Sequence, residues 1–184
     1  VSGVKAASCH GGSTAVAAPP GTPVVALAGN PNVGKSTVFN TLTGARQHVG
    51  NWPGKTVDVA RGPWRLTGDR RVEVVDLPGT YSLVPCSPDE ELTRELIVTG
   101  QVDAVVVAVD AGNLARNLYL LAQLLETGRP VAVALTMVDT AAARGLTVDA
   151  AALAERTGVP VVAIDARAGR GMDELAAAVA GLLD

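Results

Sequence analysis

Gly29-Asn30-Pro31-Asn32-Val33-Gly34-Lys35-Ser36-Thr37 decides how this chain is read. The stretch matches G-x-x-x-x-G-K-[ST], a loop whose backbone N–H groups cradle phosphate. The apolar run Val24-Val25-Ala26-Leu27-Ala28 precedes it, and Val38-Phe39-Asn40-Thr41-Leu42 follows at helical spacing. That order is strand, loop, helix. Gly29 and Gly34 allow a tight turn and close approach of the backbone, so that successive N–H groups and the helix N-terminus face the anion. Lys35 then reaches the β- and γ-phosphates, and the Ser36 hydroxyl is offered to a magnesium ion, which takes oxygen ligands from protein, water and phosphate. Nucleotide binding is the expectation that follows.

Moving outward, Val57 to Leu66 and Arg71 to Val75 read as two strands joined by the turn Thr67-Gly68-Asp69. The second runs into Asp76-Leu77-Pro78-Gly79, a D-x-x-G motif. An aspartate there holds magnesium through water, and the Gly79 N–H meets the γ-phosphate. Thr80 follows, in the position where a water-orienting Gln often sits. Between the first helix and these strands, residues 44 to 56 carry three glycines and a proline and read as a mobile loop. Thr56 at its end is placed to close on magnesium and the γ-phosphate, in the manner of loops that change order with phosphate state.

Beyond residue 80, strands and helices alternate. Helices are expected over 87 to 100, 114 to 126, 147 to 157 and 172 to 183, with strands over 102 to 110, 131 to 135 and 159 to 164. The nearly unbroken apolar run of Val102 to Asp110 suits a strand buried on both faces of a parallel sheet. The pattern implies an α/β, doubly wound fold with its ligand at the carboxyl ends of the strands. Residues 1 to 22, rich in Gly, Ala, Ser, Thr and Pro, read as a flexible N-terminal leader, leaving 23 to 184 as one nucleotide-binding domain.

Composition narrows the function. A net charge of -3, a pI near 5.4 and scattered rather than clustered Lys and Arg give no footprint for nucleic acid. The two cysteines, Cys9 and Cys86, form no disulfide framework and suit a reducing compartment. Cys9-His10 lacks the second pair of ligands that a metal site needs. No apolar run approaches the roughly 18 residues of a membrane span, so a soluble domain is expected.

Base recognition falls on two later segments. Guanine-specific proteins commonly carry Asn/Thr-Lys-x-Asp after the fifth strand, the Asp accepting from the guanine N1–H and N2 amine. Here the segment is Thr136-Met137-Val138-Asp139. A second motif, usually Ser-Ala-Lys/Arg, is replaced by Asp165-Ala166-Arg167, which keeps the Ala whose N–H meets guanine O6. Both departures point to GTP binding with some tolerance of other nucleoside triphosphates, since discrimination depends on properly paired polar groups.

Together, Gly29 to Ser36, Val49-Gly50-Asn51-Trp52-Pro53-Gly54 and Asp76-Leu77-Pro78-Gly79-Thr80-Tyr81-Ser82-Leu83 resemble the N-terminal G domain of the prokaryotic ferrous iron transport protein B family, a TRAFAC-class P-loop GTPase. The resemblance spans about residues 23 to 184; Cys86, Thr136 and Asp165 depart from it. It implies a Ras-like P-loop GTPase fold, with a mostly parallel six-stranded sheet and helices on both faces. It also implies a magnesium-dependent GTPase at the cytoplasmic face of the bacterial inner membrane, ahead of helical regulatory and transmembrane parts that take up Fe²⁺. Potassium activation, seen in some members, would make Asn32 a K⁺ ligand, completed by backbone carbonyls at Gly50 and Trp52. Lys35, Thr56, Gly79 and Thr80 are then the catalytic set, with Ser36, Thr56 and Asp76 holding Mg²⁺, and the absence of an evident base or arginine finger implies slow turnover. Two other readings stay open: a nucleotide sensor with little hydrolysis, and a ribosome-assembly GTPase, against which the acidic balance argues. A homo-oligomer is also left open.

Overall fold

The computed structural model describes residues 21–44, 46–52, 58–85 and 87–184. Residues 1–20 of the leader, Thr56 and Cys86 therefore lie outside the described residues. Among the described residues, seven strands form one sheet: β1 (Val24–Gly29), β2 (His48–Asn51), β3 (Asp58–Arg65), β4 (Arg71–Asp76), β5 (Ala104–Asp110), β6 (Val131–Thr136) and β7 (Val161–Ala163). Their order is β2-β3-β4-β1-β5-β6-β7, with β4 through β7 and β1 parallel and the β2-β3-β4 flank antiparallel. The helices are α1 (Lys35–Thr43), α2 (Pro88–Val98), α3 (Leu114–Glu126), α4 (Val138–Ala143), α5 (Ala150–Thr157) and α6 (Met172–Leu182).

Alternation along the central strands sorts the core into two layers. Val105, Val107 and Val109 of β5 pack with α2 and α3, whereas Ala104 and Val106 pack with α1 and α6. Valine on a strand buried from both sides both favours extended backbone and fills each layer. Small Ala residues at 132 and 134 of β6 face α6, whose Leu175 and Val179 are fully covered.

The sheet has seven strands rather than six. His48–Asn51, expected as part of one loop, instead pairs antiparallel with β3, His48 opposite Arg61 and Asn51 opposite Asp58. Its glycine and shortness hid it, and only the edge of β3 makes it a strand. The short α4 also escaped the sequence reading, because six residues give fewer than two turns of periodicity. Elsewhere the differences are at element ends: α5 starts at Ala150 because the Asp149 carboxylate caps the N–H groups of Ala151 and Ala152 at 2.9 and 3.1 Å.

β1 is flanked by β4 on one side and β5 on the other, so the chain reverses direction of winding at β1. A crevice opens at the carboxyl ends of the strands at such a switch point. The phosphate loop, Asp76, Thr136 and the 165–170 turn are all found at those ends.

Candidate functional site

The phosphate loop leaves β1 at Gly29, where any side chain is refused: an added Cβ would lie 2.9 Å from the Ala108 carbonyl oxygen. Gly34, at φ 84°, turns the chain into α1, and Asn32 is also left-handed at φ 66°. Val33 is buried and Asn30 almost fully so, its Nδ2 donating to the Arg116 carbonyl at 3.5 Å. The loop is thereby held from both sides before any ligand arrives. A cavity of about 540 Å³ lies over it, lined by Asn30, Pro31, Asn32, Gly34, Lys35, Ser36, Thr37, Gly79, Met137 and Arg167.

Lys35 ion-pairs with Asp76, which closes β4. Burial pushes the Asp76 carboxyl above its ordinary value, with Lys35 pulling the other way. The pair holds a charged acid at a place that is costly for charge. Leu77 is fully buried, and its N–H donates to the Leu27 carbonyl at 3.0 Å, carrying the D-x-x-G segment along β1. Gly79 then comes so close to Pro31 that an added Cβ would meet three of its atoms at 3.3 Å. Pro78 is half-buried between them. Thr80 is 1 % exposed; its N–H donates to the Gly29 carbonyl, and its hydroxyl meets the Ser82 carbonyl and the Glu90 carboxylate. The side chain thus braces the turn from within and lies outside the phosphate cavity. Tyr81 lies against the Arg116 guanidinium, 4.2 Å from ring centroid to Cζ, tying the same segment to α3.

A second cavity, of about 280 Å³, adjoins the first and is lined by Gly34, Thr37, Val38, Thr136, Met137, Asp139, Thr140, Ile164, Asp165, Ala166 and Arg167. Met137, Gly34, Thr37 and Arg167 belong to both cavities. Thr136 is buried, and its hydroxyl lies 2.8 Å from the Val33 carbonyl and 3.1 Å from that of Val109. It therefore tethers the phosphate loop to the end of β6. Met137 takes a left-handed conformation, φ 56°, at the head of α4. Asp139 is exposed in the first turn of α4.

Asp165 also answers its departure. Its Oδ1 accepts from the N–H groups of Arg167 and Ala168 at 3.1 Å each, and its Oδ2 from Arg170 at 2.5 Å. The carboxylate does the loop-bracing work that a serine hydroxyl was expected to do. Thr41 of α1, unnoticed in the sequence, donates to the Ala166 carbonyl at 2.9 Å and holds this turn against the first helix. Thr140, Val38 and Ile164 were likewise missed, since their approach to the cavity depends on how the elements pack.

Gly50 and Trp52 line neither cavity. Among the described residues no group of three or more His, Cys, Asp and Glu is gathered for a metal. A hard cation at Ser36 and Asp76 would take the rest of its oxygens from phosphate and water, which suits magnesium and not a softer ion. No described helix is long and apolar enough to cross a membrane.

A phosphate loop at the switch point, an acidic residue closing the neighbouring strand and a base-sized cavity beside them define the Ras-like G domain of P-loop proteins. The comparisons carry this to a family. The model of ferrous iron transport protein B matches residues 23–179, and the chain belongs to that family. The Fe(2+) transporter FeoB of Salmonella typhimurium is 48% identical over 159 residues, 84% of this chain and 20% of that protein. The chain thus spans about a fifth of the length of the curated relatives it matches. Among solved structures, the G domain of the T. maritima FeoB iron transporter is 39% identical, covering 89% of this chain and 99% of that one, with a TM-score of 0.82. A GDP-bound mutant of S. thermophilus NFeoB is 43% identical over 85% of this chain and 62% of that one, with a TM-score of 0.77.

Proposed function

We propose that the chain is the GTP-binding and GTP-hydrolysing switch domain of a prokaryotic ferrous iron transporter, releasing GDP and phosphate slowly and requiring Mg²⁺. The observation that carries this reading is the pair of adjoining cavities, one over the phosphate loop and one beside Asp139 and Ala166, sharing Met137 and Arg167 as their common wall. A phosphorylated ribose and a base would lie across them in that order.

Each residue has a role in this reading. Backbone N–H groups of Asn32 to Thr37 meet the phosphates at the head of α1, with the partial positive charge of the helix end behind them. Lys35 leaves Asp76 for the phosphate oxygens when nucleotide enters. Ser36, Asp76 and Thr56 are the residues that would hold Mg²⁺. When bound, Mg²⁺ neutralises charge on the phosphates. Asn32, with the Gly50 and Trp52 carbonyls, is proposed to hold K⁺ as a further source of positive charge. The Thr80 hydroxyl is turned inward, which supports a water positioned by backbone groups of the Gly79-Thr80 segment rather than by a side-chain base.

Asp139 would accept from the two guanine donors and the Ala166 N–H would donate to O6. Thr136 and Asp165 keep the loop frame braced, which supports a preference for guanine despite both substitutions. The substrate GTP, the helical and membrane parts of the longer relatives as partners, and a place on the cytoplasmic side of the membrane belong to this proposal.

Phosphate release from GTP and from ATP, with Mg²⁺, in potassium against sodium at equal ionic strength, tests it. GTP turnover that is faster in potassium, with ATP used at least tenfold less well, is the expected outcome. Equal rates in the two salts would remove the potassium site, and comparable use of ATP the base preference. Tight GDP binding with no phosphate release would leave a nucleotide sensor in place of the enzyme.

A further inference from the structure

Separated in the sequence at 46, 65 and 71, three arginines meet at the end of the sheet away from the phosphate loop. β4 begins at Arg71 and closes at Asp76, so Arg71 lies a full strand from the nucleotide crevice. α1 covers the same span, starting at Lys35 and ending at Thr43, about 13 Å further on at roughly 1.5 Å per residue. Arg46, Arg65 and Arg71 line a cavity of about 520 Å³ there, together with Thr41 and Thr43 of α1 and Trp64 of β3. Among the described residues no acid lines it. Its volume falls within the range of about 300–1,000 Å³ usual for small-ligand sites.

Arg65 and Arg71 are direct partners in the β3–β4 ladder. Side chains so paired share one face of the sheet about 5 Å apart, where like charges work against folding. Arg65 meets Asp69 at 3.2 Å, but the two side chains are 67% and 75% exposed, and water screens the pair. Arg46 and Arg71 are exposed, and among the described residues neither has an ion pair or a side-chain hydrogen bond. The carbonyls at the end of α1 are met elsewhere: the Gly44 N–H donates to that of Asn40, and the Arg46 N–H to that of Thr43 at 3.2 Å. Positive charge is thus gathered here at a cost that nothing within the described chain offsets.

The kind of anion follows from the number of guanidinium groups. One bidentate fork uses up the two oxygens of a carboxylate, whereas a phosphate group has further oxygens for a second and a third arginine. Trp64 adds an apolar wall suited to the carbon part of a phosphate ester.

We propose that Arg46, Arg65 and Arg71 form a second anion site, one that takes the phosphate group of a phospholipid headgroup or of a free phosphorylated molecule. It is independent of the nucleotide reading, because none of the residues around it lines either of the other two cavities.

The test titrates inorganic phosphate into the whole 184-residue chain and follows amide shifts residue by residue, so that the phosphate loop and the distal cavity report separately. Amides of Gly44, Arg46, Arg65 and Arg71 are expected to shift and saturate. Arg46→Gln combined with Arg71→Gln should weaken that binding about tenfold, the size of one lost hydrogen bond to a charged group. Arg144→Gln combined with Arg156→Gln removes the same charge from exposed positions outside the cavity and should change it less than about twofold. A second arm measures cosedimentation with vesicles of equal parts phosphatidylglycerol and phosphatidylcholine, against phosphatidylcholine alone. Binding to the anionic vesicles that is lost only in the cavity variant assigns the headgroup. Phosphate shifts at the cavity, with vesicle binding absent or insensitive to its arginines, assign a free phosphorylated molecule. Shifts confined to residues 29–37 with no cavity-dependent vesicle binding, or equal losses in the two charge-matched variants, would overturn the site. Arg71→Gln alone relieves the Arg65 pair and should keep or raise the denaturant midpoint; a lower midpoint would make Arg71 a support of the fold and end its assignment to a ligand.

Discussion

Asp76 is held where burial works against its charge. Burial raises its carboxyl above the ordinary value and Lys35 only partly offsets this. A raised acid makes the folded state bind its proton more tightly than the unfolded chain does. The stability contribution of Asp76 is therefore most favourable below the ordinary carboxylate value and is lost as pH rises through the raised one. Comparing denaturant midpoints of Asp76→Asn and the parent without nucleotide, the variant should gain on the parent as pH is raised from about 3.8 toward neutrality; a constant or shrinking difference would contradict it. Two departures at this scale acquire structural roles. Thr136 tethers Val33 by a hydroxyl, and Asp165 braces its own turn by a carboxylate. Sequence identified both as departures, but whether a departure weakens a site depends on what its atoms meet.

At the scale of elements, local signals located most boundaries. Ser87 ahead of Pro88, Asp89, Glu90 and Glu91 announced α2, and the Ser87 hydroxyl does accept from the Glu90 N–H at 3.2 Å. Asp149 does the same for α5, a helix on the far side of β7 that contributes nothing to either cavity. Asp149→Ala should cost about 1 kcal/mol in chemical denaturation while leaving GDP affinity unchanged. A loss of affinity would mean that α5 transmits strain to the 165–170 turn. The elements that went unread, β2 and α4, have four and six residues. Four residues containing a glycine carry too little alternation to declare a strand, and β2 exists because the free edge of β3 supplies its hydrogen bonds.

At the scale of the molecule, the site is a junction where the ends of β1, β4, β6 and the turn after β7 meet. No one element contains it, so a nucleotide bound there joins them all. At a hundred times its dissociation constant, a ligand adds about 2.7 kcal/mol to the folded state, or roughly 5–11 °C in melting temperature for a chain of this length. GDP with Mg²⁺ should produce such a shift in a thermal melt, and ADP at equal concentration should produce little; equal shifts would mean that Asp139 and Ala166 do not read the base. By itself, the sequence determined the phosphate loop, the D-x-x-G aspartate, the alternation that makes an α/β sheet and the family, because those depend on residue types at fixed short spacings. Only the tertiary structure decided the seventh strand, the inward turn of Thr80, and the bracing by Thr136 and Asp165. Each of these depends on partners between 2 and 103 residues away in the chain, whose approach is set by packing and leaves no periodic trace in the sequence.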